Sequence, residues 1–355
     1  MFNGLVFKFK LNPIDLLLRT SEGMGIGRYI GQRTLEGRLM RATEIPRPYP
    51  LKTLRWMTLA TASLLGLLSL FGPEAQAATQ KNTVIEAVQL PAWVERDGRR
   101  QPAHPGQALA INDKAVTAES SRMLLRLPDR STIKLGEKTE FQIAAFSVQK
   151  HGTAGPSHLT SALRLISGVF RYATDYTSKA LGNTRDIKLQ LATATVGIRG
   201  TDFWSMTDAS HDAVCLFEGH VVVTRDSNEL ASLQSPGAFW ITRTGQPEQP
   251  AGVATPEQLM KFIGQAEFQP GSGVLLEGGR WRAVAALLPS AKDAASLRTR
   301  LQVAGYPAEI RTKQNRYEVR INDFATEADA QTVLERLRAD PEMKVTAGRV
   351  ALAAE

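Results

Sequence analysis

From Thr83 onward the chain alternates short apolar and polar segments, with turn signals about every 8 to 12 residues, as half-buried strands in a sandwich, barrel or β-helix do. Trp93–Arg96 and Arg99–Pro102 flank Asp97-Gly98, a dipeptide that tolerates positive φ and favours a two-residue hairpin. Met123–Leu127 and Ser131–Leu135 form a second unit around Pro128-Asp129. Farther on, Ala162–Tyr172 predicts two short strands around Gly168, followed by Ile187–Leu191 and the strand-like stretch Ala192–Trp204. Ala213–Phe217 and His220–Thr224, joined by the turn Glu218-Gly219, are read as the final strands of this region.

After residue 245 the rhythm changes. The Pro/Gly/Gln stretch Gly245–Gly252 suits a linker, and Thr255 as cap with Pro256 at the first position starts a helix that carries Leu259, Phe262 and Ile263 on one face. Gln269–Gly273 breaks the chain again, so 246–278 is expected to act as a spacer with a short helix. The remainder reads as β-α-β-β-α-β: strand Trp281–Leu288, helix Ser290–Ala304, strands Ala308–Thr312 and Arg316–Ile321, helix Thr326–Ala339, and a last strand Lys344–Val350. Ala330, Val333, Leu334 and Leu337 share one face of the second helix, and Thr326 with Asp329 fits its N-terminus. The expected fold is mainly β over 83–245, a sandwich or β-helix-like antiparallel domain, followed by a small α+β domain over 279–350.

The N-terminus carries a different signal. Lys52 and Arg55 precede the apolar run Met57–Phe71, then Gly72-Pro73 and the small residues Ala75-Gln76-Ala77, the three-part pattern of a secretory signal cleaved after Ala77. The run is short for a membrane span, which needs about 20 residues; the other reading is an uncleaved anchor with Met1–Leu51 in the cytoplasm. Signal peptides rarely begin 50 residues before their basic stretch, so Met40 is the expected start of translation and 1–77 is read as a wrongly chosen start plus the signal. Export implies a periplasmic location.

Charge and cysteine add little to this. The formal net charge is +8, but residues 1–77 hold ten Lys/Arg against five Asp/Glu, which leaves +3 on the rest and no argument for nucleic-acid binding. The single cysteine, Cys215, sits in an apolar strand and reads as a buried small hydrophobe.

"Ser-Gly-Val-Phe" at 167–170, "Ala-Thr-Val-Gly-Ile-Arg-Gly-Thr-Asp-Phe" at 194–203 and "Leu-Phe-Glu-Gly-His-Val-Val-Val" at 216–223 together resemble the signature of FecR-type periplasmic domains. Upstream, the Trp93 strand, Pro105-Gly106, a strand with Thr117, and "Leu-Pro-Asp-Arg-Ser-Thr-Ile-Lys-Leu" at 127–135 extend the likeness. The motif residues are Gly168, Gly197, Arg199, Gly200, Thr201, Asp202, Phe203, Glu218 and Gly219. Gly197 and Gly200 suit turns or close packing, and Arg199 can fork onto carbonyls or onto Asp202. Two roles stay open for Arg199 and Asp202: pinning successive strands, or contacting a ligand.

The C-terminal order, with "Arg-Tyr-Glu-Val-Arg-Ile-Asn-Asp-Phe" at 316–324 and "Glu-Ala-Asp-Ala" at 327–330, is similar to the SPOR domain, a family that binds septal peptidoglycan. It departs from that pattern at Ala283–Leu288, where the family's polar first strand is replaced by apolar residues. Trp281, Arg316, Tyr317 and Arg320 remain candidate glycan contacts, and a protein-docking role stands beside glycan binding.

No nucleophile elbow, Walker loop, His-Glu-x-x-His or Cys-x-x-Cys motif is present. His104, His151, His158, His211 and His220 are scattered, and no metal, cofactor or enzymatic activity is expected. Polar stretches Lys150–Leu159 and Asp175–Asp186 are places where a partner can dock. The reading is an exported module that binds an envelope protein or ligand and is tethered to peptidoglycan by its C-terminal domain. The alternative is a membrane-anchored transducer acting on a sigma factor. A wall-modifying enzyme lacks room for a catalytic domain.

Overall fold

The computed structural model describes residues 82–150, 157–175, 184–198 and 200–353. The expected signal segment and start codon, Arg199 and His151 lie outside the described residues. Among the described residues seventeen strands precede the first helix: β1 (Thr83–Gln89), β2 (Ala92–Arg96), β3 (Arg99–Pro102), β4 (Ala108–Leu109), β5 (Lys114–Thr117), β6 (Arg122–Arg126), β7 (Thr132–Leu135), β8 (Glu140–Lys150), β9 (Ser157–Ala173), β10 (Thr184–Gln190), β11 (Thr195–Ile198), β12 (Asp202–Thr207), β13 (His211–Glu218), β14 (Val221–Arg225), β15 (Asn228–Leu233), β16 (Ala238–Arg243) and the two-residue β17 (Gly252–Val253) beside β16.

They form two facing sheets. One runs β1-β6-β7-β9-β12-β13-β16-β17. The other runs β3-β2-β5-β8-β9-β10-β11-β14-β15. The chain crosses back and forth between them, and β9 belongs to both: its first part pairs with β8 and β10, its last part with β7 and β12. Pairing is antiparallel except between β9 and β10, which run parallel. Inward side chains such as Ile85, Leu125, Phe170, Phe203 and Trp240 from one sheet meet Val94, Phe141, Leu163, Ile187 and Val223 from the other, which is the alternation a sandwich requires.

The predicted hairpin at Asp97-Gly98 is present, with φ of 51° and 73° at its two turn residues. Strands β8, β15 and β16 extend the sheets beyond the segments read from sequence. Ser157–Leu159 and Thr184–Asp186, expected within polar loops, are strand: His158 and Leu159 pair with Thr184 and Arg185, and Ser157 pairs with Lys150 of β8.

Helix α1 (Pro256–Ala266) begins as predicted, with Pro256 in its first turn and a reciprocal cap in which Thr255 Oγ1 accepts from Gln258 N–H and Gln258 Oε1 accepts from Thr255 N–H. It lies across the outer face of the first sheet. Phe262 stacks on Trp204 at a centroid distance of 4.2 Å and on Phe239 at 5.6 Å, over a patch that includes Cys215. Segment 246–278 therefore does more than space two domains: it closes an apolar sheet face, and Glu267, which caps the C-terminus of α1, takes salt bridges from Lys134 and Arg171.

Beyond it come β18 (Val274–Leu276), β19 (Trp281–Leu288), α2 (Ala291–Val303), β20 (Glu309–Lys313), β21 (Arg316–Phe324), α3 (Glu327–Ala339) and β22 (Arg349–Leu352). The sheet order β20-β21-β19-β22 is antiparallel throughout and gives the expected βαββαβ module. Leu297 and Leu301 of α2 and Val333, Leu334 and Leu337 of α3 bury against Ala283, Ala285, Val319 and Ile321. The last strand differs from expectation. Met343 and Val345 turn into the core, Lys344 takes a φ of 55°, and pairing with β19 begins only at Arg349.

Lys81–Glu355 forms one compact unit. β18 pairs with β1 and touches β21 at Leu275 opposite Phe324, so hydrogen-bonded backbone is continuous from sandwich to C-terminal module. Asp329, buried in α3, accepts from the N–H groups of Gly273 and Val274 at 3.0 Å each and from Thr326 Oγ1 at 2.6 Å. Arg336 donates to the carbonyls of Leu90 (2.9 Å) and Ser272 (3.1 Å), and Trp93 Nε1 donates to Val303 O.

Candidate functional site

Three motif glycines stand where the chain changes sheets. Gly168 (φ 93°) bends β9 from one sheet into the other, Gly200 (φ 64°) lies between β11 and β12, and Gly219 (φ 91°) lies between β13 and β14. A side chain at Gly168 would meet Thr139 Cα at 2.5 Å and Lys138 O at 2.7 Å; one at Gly219 would meet Gly200 O at 2.5 Å. Positive φ together with backbone at this range restricts both places to glycine. Gly197 is different. It sits within β11 with no such dihedral, and the nearest atom to an added Cβ is 3.7 Å away, so the close packing expected of it is absent.

The other motif residues complete the corner. Thr201 N–H donates to Thr174 Oγ1 and Thr174 N–H to Thr201 O, both at 3.0 Å. Phe203 enters the sandwich core in an aromatic row with Phe141, Phe170 and Tyr172. Asp202 faces Arg171 from the neighbouring strand, which donates through Nε at 3.0 Å and Nη2 at 2.8 Å while its Nη1 reaches Glu267 at 2.6 Å. Its fork is thus split between two strand-bound and connector-bound carboxylates, and it also lies over the Phe217 ring at 5.2 Å. Glu218 pairs opposite Asp202 at the end of β13. Arginine 171 had no motif to mark it; only the sheet register brings it to Asp202.

The candidate glycan residues are not brought to one surface. Alternation along β21 puts Tyr317, Val319 and Ile321 toward the helices and Glu318, Arg320 and Asn322 on the other face. Tyr317 and Trp281 pack against the core, half-buried, while Arg316 is exposed. Arg320 lies on the face away from the helices, where its Nε and Nη2 donate to Glu309 Oε1 at 2.8 and 2.6 Å. Glu318, 4% exposed, lies between Arg320 and Arg349 at 3.6 Å from each. With Arg282 and Arg311 on the same side by register, this is a guanidinium-bearing sheet face.

Cys215 is fully buried, and burial pushes its thiol up to about 12, far from a thiolate nucleophile. His220 Nε2 meets Ser232 Oγ at 3.0 Å, and His158 Nδ1 meets Thr184 Oγ1 at 2.7 Å. Among the described residues no group of three His, Cys, Asp or Glu side chains is placed to hold a metal, and no helix is long and apolar enough to cross a membrane. A polar cleft of about 310 Å³ lies among Thr193, Asp208, His211, Arg225, Arg243 and Glu248. Its buried neighbour Asp212 is occupied by Thr193 N–H and Oγ1 at 2.7 and 2.6 Å.

Comparison with known proteins divides the chain the same way. Residues 113–222 match the family model described as FecR protein, and residues 277–343 match the SPOR domain model. No curated protein matches the chain. Two crystal structures described as "a putative anti-sigma factor from Parabacteroides distasonis ATCC 8503" are similar at 11% identity, with TM-scores of 0.32 and 0.31; they cover 57% and 58% of this chain and 96% and 97% of their own. Overlap at that level leaves the argument on the family matches and the geometry. The chain therefore carries a FecR domain and, C-terminal to it, a SPOR domain.

Proposed function

We propose that the chain is a non-enzymatic protein of the bacterial cell envelope, whose FecR domain binds an envelope protein or ligand and whose SPOR domain attaches it to peptidoglycan. The observation that carries this reading is the orientation of the SPOR sheet. Its helix side contributes the contacts at Val303, Gly305 and Arg336 to the FecR side of the molecule. The opposite face, with Arg282, Arg311, Arg320 and Arg349, is turned away from those helices. Guanidinium donors suit the carbonyl, hydroxyl and carboxylate oxygens of a wall polymer. The contact set differs from the one expected from sequence: Arg320 keeps its place, while Trp281 and Tyr317 serve packing.

Both domain types favour an extracytoplasmic location, in line with the secretory pattern ending at Ala77. Co-sedimentation of the full chain with purified sacculi tests the reading. Binding is expected, and Arg349→Ala combined with Arg316→Ala should weaken it about tenfold while leaving the circular dichroism spectrum unchanged. A protein that stays in the supernatant at every concentration would sink it.

A further inference from the structure

The shortened last strand leaves a notch in the SPOR sheet. β22 pairs with β19 only along Trp281–Val284, so the edge of Ala286–Leu288 that faces away from β21 has no strand beside it. Among the described residues, no backbone hydrogen bond outside the sheet ladders reaches Ala286–Leu288. The chain does not swing back to fill the gap, because Met343 and Val345 are anchored in the core. Gly348 is pressed so close to Val284 O and Leu334 that a Cβ there would sit 2.7 Å from each. What remains is a groove of about 530 Å³ between the β19 edge, α2 and the 344–347 segment.

Its walls carry a recognisable chemistry. Leu287, 41% exposed, and Leu288 and Leu297 offer apolar contact; Arg300 stands on the helix wall and Lys344 on the opposite one, with Asp293 nearer the helix start. An uncovered sheet edge presents unpaired N–H and C=O groups in the spacing that an incoming strand matches. Three residues of extended chain span about 10 Å, the length of the free edge. Cations on both walls favour a strand with acidic side chains.

We propose that this notch receives an extended acidic peptide segment of a partner protein, which adds to the free edge of β19 in line with β22, seats an apolar side chain against Leu288 and Leu297 on the helix side, and places a carboxylate between Arg300 and Lys344. The site is distinct from the guanidinium-bearing sheet face and independent of peptidoglycan binding.

The test uses the full chain and a fluorescein-labelled peptide of alternating leucine and glutamate, read by fluorescence anisotropy. Saturable binding is expected. Arg300→Glu, at a half-buried residue, and Lys344→Glu, at an exposed one, should each weaken it about tenfold with the circular dichroism spectrum unchanged. Two partly N-methylated forms of the peptide, one blocked on odd amides and the other on even amides, separate strand addition from simple charge attraction. A strand pairs through one edge, so one form should lose binding and the other keep it. Equal binding by both forms, equal binding by a leucine-lysine peptide, displacement by a wall disaccharide fragment, or no binding by the parent peptide would each overturn the proposal.

Discussion

Replacing Gly168 by alanine strikes the point where β9 leaves one sheet for the other. The new Cβ has to occupy a φ of 93°, which costs an L-residue roughly 1–2 kcal/mol. It also enters space already held by Thr139 Cα at 2.5 Å and Lys138 O at 2.7 Å, both backbone atoms of the tight turn into β8. Neither can swing aside like a side chain, and overpacking of this kind adds about 1–3 kcal/mol. The expected loss is therefore about 2–5 kcal/mol, a large part of the roughly 5–15 kcal/mol that holds a domain folded. Gly197→Ala is the internal control. It belongs to the same sequence motif, but its strand dihedral and 3.7 Å clearance predict a change within about 0.5 kcal/mol. Urea titrations followed by tryptophan fluorescence measure both, the midpoint falling for Gly168→Ala with little change in slope. If Gly197→Ala proved as damaging as Gly168→Ala, the assignment of the motif glycines to sheet-crossing corners would be wrong.

Other expectations follow from single contacts. Asp329→Ala strands the buried N–H groups of Gly273 and Val274, at about 1–3 kcal/mol for each buried group, whereas Asp329→Asn keeps an acceptor oxygen and should cost less; urea midpoints of the two variants decide it. Cys215 should resist a thiol reagent at pH 8 in the native protein and react in denaturant, and Phe262→Ala, which removes the ring stacked on Trp204, should speed its native-state labelling. Arg100 and Lys114 beside Glu95 hold its carboxyl below the usual carboxylate range. Such a group contributes stability above its unfolded pKa of about 4.3 and loses it as pH falls through the lower folded value. Glu95→Gln should therefore flatten the acid limb of the stability curve, and an unaltered limb would contradict the pairing.

Much of the architecture was legible because local chemistry announces it. The Asp97-Gly98 turn, the Thr255 and Thr326 caps and the apolar face of α3 each specify their element without help from distant residues. Other elements lack such marks. β15 follows a turn at Asp226-Ser227, whose positive φ angles of 48° and 68° fall on residues that do not advertise them as glycine does. In β8 the apolar alternation is interrupted between Ile143 and Ala145 by a register shift, which hides the strand from a period-two reading. The late start of pairing in the last strand depends on the burial of Met343 and Val345, which only packing decides.

The site was readable in part for the same reason. Gly168, Gly200 and Gly219 were visible as motif members, and their dihedrals explain them. Partner identity was not: Arg171 joins Asp202 and Glu267, which lie 31 and 96 positions from it along the chain, and only the folded sheet and the connector packed on it bring the three together. Trp281 and Tyr317 looked like sugar-stacking groups because aromatic residues beside arginines suggest a binding face. Strand alternation turns them toward the core instead and leaves the arginines on the far side.

The central claim is that this is an exported envelope protein, and the N-terminus of the mature chain tests it most directly. The tagged full-length gene would be expressed in a Gram-negative host, the cells fractionated, and the purified protein measured by intact mass and terminal-peptide sequencing. The account predicts a periplasmic species beginning at Ala78. A membrane-bound species that retains Met1 or Met40 would contradict it and favour a transmembrane transducer.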